Sequence, residues 1–397
     1  MPDLQPMLPA ELLKELIAIP SVNPMGRDID GPEFFEAGMT DYLERWFAEL
    51  GVDFRRIELQ PRRSNIVACY QGNPHRPTVL LDAHQDTVPV EGMTIPAFDP
   101  EERDGRIYGR GSCDVKGGMA SMLTAFARIV RERPSQTGDV IMSCTCDEEQ
   151  SMSGMHDLTG RWGSAENAET AWLTQRPDVV IIAEPTSLDI VVAHRGVTRW
   201  KLQTSGRAAH SSKPSEGTNA IYRMAEIVGH LQDYAANLEN GSIPHVLCGS
   251  PTLSVGRIEG GISVNVVPPD CSIEIDRRVI PGEDQTTVIE QVDMWLRKRI
   301  DFDFQMQPPW CIVGPLSDDR NGAVADSLLT HVEAVVGPRQ KLGVAYGTNA
   351  AATGGTVPTV VFGPGSIEQA HTKDEWIEAA QLEQAAEILF RFLAVNN

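Results

Sequence analysis

Four apolar runs in this chain, 78–83, 139–145, 178–183 and 356–362, each stop just short of a carboxylate or a histidine. Short apolar runs of this kind read as buried strands. The groups that follow them are His84 and Asp86, Glu148 and Glu149, Glu184 and, further on, His371, with Asp114 between the first two sets. In open α/β sheets a ligand site lies beyond the carboxyl ends of the strands, where all these residues would gather. Imidazoles and carboxylates collected in one place are metal donors.

At 397 residues the chain exceeds the usual single core, so two domains, or one domain with a large insertion, are expected. Hydrophobic residues make up 41% and charged residues 22%, ordinary globular usage. The formal charge of -21, from 34 basic against 55 acidic residues, would repel a phosphate backbone and argues against nucleic acid as a partner. Seven cysteines, an odd number with no CxxC pair, read as reduced and mostly buried thiols. The first twenty residues lack a basic start followed by a long apolar stretch, and no window approaches a membrane span, so a cytoplasmic location without membrane association is expected.

Helical spacing over 8–19 and 33–50 opens the chain, and strands are expected at 53–58, 65–71 and 78–83. A long helix over 118–131 precedes the strand at 139–145. This alternation predicts an α/β layer fold. From Thr198 the texture changes to strand, helix over 219–237, strands over 252–258, 261–267 and 270–279, then a helix from near Asp284 to Arg299. That order predicts a separate α+β unit spanning 196–307, inserted between a first catalytic segment, 1–195, and a second, 308–397.

Each candidate has a chemical reason. His84 and Asp86 are two apart, so an extended backbone points both to one side; one can bind a metal while the other accepts the second ring N–H. The glycine-rich stretch 108–121 invites a phosphate-loop reading, but Asp114 stands where a GxGxxG fingerprint needs its third glycine, and Lys116 lacks the Walker spacing. What remains is a tight turn able to hold the Asp114 carboxylate in a pocket. Glu148 and Glu149 can divide the labour, one as a ligand and one taking a proton from activated water. Glu184 follows a run too apolar to be exposed. His84, Asp114, Glu149, Glu184 and His371 are one ligand too many for a closed tetrahedral site. Two metals bridged by Asp114 would each receive one histidine and one terminal carboxylate, a mixed set suited to Zn2+, with Co2+ or Mn2+ as alternatives.

The motifs HQDTVP, GRGSCDVKGG, DEEQS, AEPT and AHTKDE, in that order and with an inserted unit between the last two, resemble one family of metal-dependent amidohydrolases and peptidases. It includes acetylornithine deacetylase, succinyl-diaminopimelate desuccinylase, aminoacylase and glutamate carboxypeptidase. The resemblance covers nearly the whole chain. It implies a zinc-peptidase-like catalytic domain, with a central mixed, largely parallel sheet flanked by helices, and an inserted ferredoxin-like lid and dimerisation domain. It further implies that His84 and Glu184 bind one metal, that Glu149 and His371 bind the other, and that Asp114 bridges them. Glu148 would be general base and acid, with Asp86 in support, and the Asp114–Val115 bond would be cis. His210 would enter the neighbouring subunit's site to stabilise an oxyanion, and Asn265 and Arg278, or the adjacent Arg277, would contact substrate. Family members often carry an acid in a GT(D/E)A stretch near the site, where this chain reads YGTNAA; Asn349 is the corresponding substrate-contact candidate. The expected activity is hydrolysis of an N-acyl amino acid by a homodimer, with a carboxypeptidase or dipeptidase as the nearest alternative and a non-catalytic binding protein as the alternative of another class.

Overall fold

The computed structural model describes residues 8–164 and 171–395. The chain divides into two compact units: one from its start to Val192, with Asp318–Leu342 and the chain from Thr348 onward, and one of Ala193–Ser317 with Gly343–Gly347. The second is thus an insertion in the first, three residues longer at its start and ten longer at its end than the expected 196–307, and joined by a short later segment.

The first unit begins with α1 (Pro9–Ile17), where proline opens the first turn and Leu12, Leu13, Leu16 and Ile17 form the buried stripe. There follow α2 (Ala37–Leu50), β1 (Asp53–Gln60), β2 (Arg63–Tyr70), β3 (Val79–His84), β4 (Glu101–Arg103), β5 (Arg106–Tyr108), α3 (Lys116–Glu132), β6 (Val140–Thr145), α4 (Ser153–Gly160), α5 (Ala171–Thr174), β7 (Val179–Ile182) and β8 (Ile190–His194). The expected helix over 33–50 starts later, because Phe34 bridges Val22 in extended form and Phe35 turns to φ 68°. Within the inserted unit lie β9 (Gly196–Ser205), α6 (Ala220–Gly241), β10 (Thr252–Gly260), β11 (Asp270–Val279), α7 (Val288–Arg297), β12 (Phe304–Met306) and β13 (Cys311–Val313). The chain ends with α8 (Gly322–Val336), β14 (Lys341–Val344), β15 (Thr359–Val361), β16 (Trp376–Glu378) and α9 (Ala379–Ala394).

Eight strands form one mixed sheet in the order β1-β2-β6-β3-β7-β15-β8-β14. Every residue of β2, β3 and β6 is buried, as expected of strands covered on both faces. At the centre, β3 runs parallel to both β6 and β7, and β15 runs parallel to β7. Their carboxyl ends therefore point the same way, with His84 level with Thr145 and Asp82 level with Ile182. Helix α3 sits close to this edge because Gly118 carries no side chain; a Cβ there would come within 2.9 Å of the Ala183 Cβ.

In the inserted unit, antiparallel strands stand in the order β10-β11-β9-β12, with β13 pairing further along β9. The chain order β-α-β-β-α-β with this arrangement is ferredoxin-like. Trp200, Leu202, Met224, Ile227, Ile273, Ile275 and Leu296 build its core. The expected strand over 261–267 is absent. Ile262 and Val264 are 80% and 98% exposed, so the alternation there has nothing to pack against, and only Val266 makes a bridge, to His210.

Candidate metal centre

The ends of the four parallel strands, and the loops that follow them, deliver most of the cluster. His84 is the last residue of β3, Glu148 and Glu149 lie on the turn after β6, and Glu184 follows β7 by two residues. Asp114 comes from the turn between β5 and α3, where the Asp114–Val115 bond is cis. His371 lies on the loop after β15, at φ 61°.

The Nδ1 atom of His84 is 2.9 Å from the main-chain oxygen of Asp86, which takes its proton and leaves Nε2 as the ligating nitrogen. This corrects the expectation that the Asp86 carboxylate plays that part, since its nearer oxygen is 3.7 Å away. The carboxylate is engaged elsewhere: it accepts the Asn23 amide at 2.8 Å and the main-chain N–H groups of Glu148 and Glu149 at 3.1 Å each. Asp86 therefore anchors the glutamate turn directly and His84 through its backbone.

His84 Nε2 lies 3.2 Å from Asp114 Oδ1, and His371 Nε2 lies 3.3 Å from Asp114 Oδ2. The second imidazole is also 3.2 Å from Glu149 Oε2. Glu149 Oε1 is buried with no partner, and His84, Asp114 and Glu149 offer donor atoms all within 4.8 Å of one another. Burial pushes the carboxyls of Glu148, Glu149 and Glu184 upward, and for Glu184 the nearby Asp114 charge adds to it. Burial also works against ionised Asp114, but the hydrogen bonds from His371 and His84 outweigh it and hold that carboxyl low. Hydrogen bonding to Asp114 and Glu149 pushes His371 up to about 11. Buried carboxylates that repel one another, with an orphaned oxygen among them, fit a site completed by divalent cations.

Other features support this shell. Asp147, at φ 64°, turns the chain after β6 and is held by Asn23, Arg63, Ser151 and Ser153. Asn349 is 1% exposed, and its amide donates to Asp82 Oδ2 at 2.9 Å and Thr145 Oγ1 at 3.0 Å. Asn23, Asp82, Arg63 and Glu375 are not among the site residues expected from the sequence. Only Glu375, four residues after His371 within AHTKDE, carried a local signal; the others are significant through partners distant in sequence.

In the inserted unit, His210 is exposed and its Nδ1 accepts the main-chain N–H of Ser212 at 3.2 Å, which puts the proton of the neutral ring on Nε2. Arg277 is fully buried and paired with Glu283 at 2.6 Å. Arg278 is half-buried, with its Nε 2.7 Å from Asp276. The exposed Asn265 accepts the Ser263 hydroxyl at 2.6 Å.

Residues 80–395 match peptidase family M20/M25/M40. The acetylornithine deacetylase of Photorhabdus laumondii is 32% identical over 394 residues, covering 96% of each chain. Among solved structures, an M20 family metallo-carboxypeptidase from Sulfolobus solfataricus superposes with a TM-score of 0.75 at 18% identity, over 98% of this chain and 99% of the other. A dinuclear metal-binding M20 peptidase of Bacillus subtilis gives 0.67 at 16% identity, over 98% and 96%. Fold and site together define a metal-dependent amide hydrolase. The chain belongs to peptidase family M20/M25/M40. No described helix is long and apolar enough to cross a membrane.

Proposed function

We propose that this protein is a dinuclear zinc amidohydrolase, with Co2+ or Mn2+ as substitutes, that removes the acyl group from an N-acyl amino acid. The observation that carries the reading is Asp114, whose two oxygens each face the Nε2 of a different histidine. In this reading His84 and Glu184 hold one cation, Glu149 and His371 the other, and Asp114 both. Bound cations there would polarise the scissile carbonyl and lower the pKa of water. Glu148, on the same turn as Glu149 but with no ligand role, takes the proton from the attacking water and returns it to the leaving amine. Asp86 keeps that turn and the His84 ring in place.

His210 of the partner subunit would donate its Nε2 proton to the developing oxyanion, a role supported by the tautomer that Ser212 selects. Arg278 is the better candidate for a substrate carboxylate, since Arg277 is fully buried whereas Arg278, though paired with Asp276, is only half-buried. Asn265 lies near His210 in the chain fold, its neighbour Val266 bridging to it, and would line the same region. Asn349 is read as a support for Asp82, because both of its amide protons are used internally. The homodimer would form through the inserted unit, where Ile262, Val264 and Tyr222 are exposed. A cytoplasmic location agrees with the seven cysteines forming no disulfide with one another.

Metal analysis and a hydrolysis panel test this reading. Stoichiometric zinc, with turnover of N-acetyl or N-succinyl amino acids exceeding that of dipeptides, is the expected result; preference for dipeptides would favour a dipeptidase or carboxypeptidase. Absence of any transition metal, together with inactivity after Zn2+ or Co2+ addition, would end the enzyme reading.

A further inference from the structure

Glu375 is a fully buried carboxylate whose hydrogen-bond donors among the described residues all belong to the turn that carries Asp114. Its Oε1 accepts the main-chain N–H groups of Cys113 at 2.8 Å and Asp114 at 2.9 Å. Its Oε2 accepts the N–H of Gly111 at 2.9 Å and the guanidinium of Arg110 at 2.7 Å. Burying an anion is costly, and four donors converging on one carboxylate are what offsets it. The far end of the turn is held as well: buried Lys116 donates its ammonium to the main-chain oxygens of Leu16 at 3.0 Å and Ile19 at 2.7 Å.

The partners are 261 to 265 positions away in the chain, so this is a tertiary clamp and not a local turn bond. Glu375 also sits four residues after His371, at the end of the same loop. One side chain thus ties the segment bearing His371 to the segment bearing Asp114. Those two residues face each other at 3.3 Å, and their separation depends on how the two segments are joined.

We propose that Glu375 is a positioning residue for the hydrolytic reaction: it fixes the Asp114 carboxylate and the His371 imidazole at the spacing that two bridged cations require. This rests on the reading of Asp114 as the bridge. A neutral side chain cannot replace it, because all four groups facing the carboxylate are donors and an amide can offer an oxygen to only one pair.

The test uses the full-length metal-loaded protein and Glu375→Gln, with zinc affinity measured by competition against a chelator of known strength. Support for a holding group would be a loss of about 10- to 100-fold in zinc affinity, a fall in kcat with KM little changed, and faster amide exchange at Gly111, Cys113 and Asp114. A folded variant that keeps wild-type zinc affinity and kcat and shows only a lower Tm would overturn it, leaving the two-metal reading intact. Should Glu375→Gln not fold, exchange in the wild-type protein decides: protection of those three amides comparable to that of β3 supports the clamp, and rapid exchange in the folded protein overturns it. A wild-type protein that binds no zinc would remove the bridge and this assignment with it.

Discussion

The main-chain oxygen of Asp86 takes the Nδ1 proton of His84 at 2.9 Å, while the Asp86 side chain faces the turn that carries Glu148. One residue therefore performs two separable tasks. Replacing its side chain removes only the second. Asp86→Ala is expected to lower kcat by tenfold or more, on the order of other losses of supporting groups, while the His84 ring keeps its tautomer. Nitrogen shifts of the histidine ring check the latter; a change of tautomer would mean that the carboxylate, not the backbone, directs the imidazole.

Glu148→Gln keeps the shape of the turn and removes the base. Metal content should remain, and turnover should fall by roughly 10²- to 10⁴-fold or more. Elemental analysis beside single-substrate kinetics measures both. Unchanged turnover would take Glu148 out of the reaction.

Shared sites predict complementation. Mixing inactive Glu148→Gln with inactive His210→Ala should restore part of the activity through hybrid dimers, since one site in each hybrid would then have an intact base and an intact donor. If subunits demonstrably exchange and no activity returns, His210 does not act across an interface.

His194 is fully buried, its Nδ1 lies 2.9 Å from the Arg195 main-chain oxygen, and burial lowers its pKa from 6.5 to about 4. Between those values the unfolded chain binds a proton that the folded protein does not, so stability rises with pH across the window and is lost as pH falls from 6.5 toward 4. The contribution amounts to roughly 3 kcal/mol over the whole window. Denaturant unfolding of wild type and His194→Asn at a series of pH values should give curves whose difference changes over this interval. Parallel curves would mean that His194 titrates alike in both states.

Much of the centre is legible in the primary structure, because a buried strand must be apolar and a polar group just past its end has to face the site. His84, Glu184 and the Glu148–Glu149 pair stand out for that reason, and their gathering at the end of β3 and just beyond β7 and β6 follows from the parallel pairing. The inserted unit is legible in its change of texture, though an alternating pattern over 261–267 reads as a strand where none forms, since alternation indicates a face and not a neighbour to cover it.

The amino-acid sequence by itself determined which donors exist, in which order they arrive, and that they belong on an α/β sheet with an insertion. Only the tertiary structure decided which atom of Asp86 serves His84, why Asn349 has no proton left to offer, and that Glu375 grips the Asp114 turn across more than 260 residues. Strand periodicity is a local property written in consecutive side chains. A hydrogen bond to a backbone amide leaves no such mark, because every residue type except proline presents the same N–H.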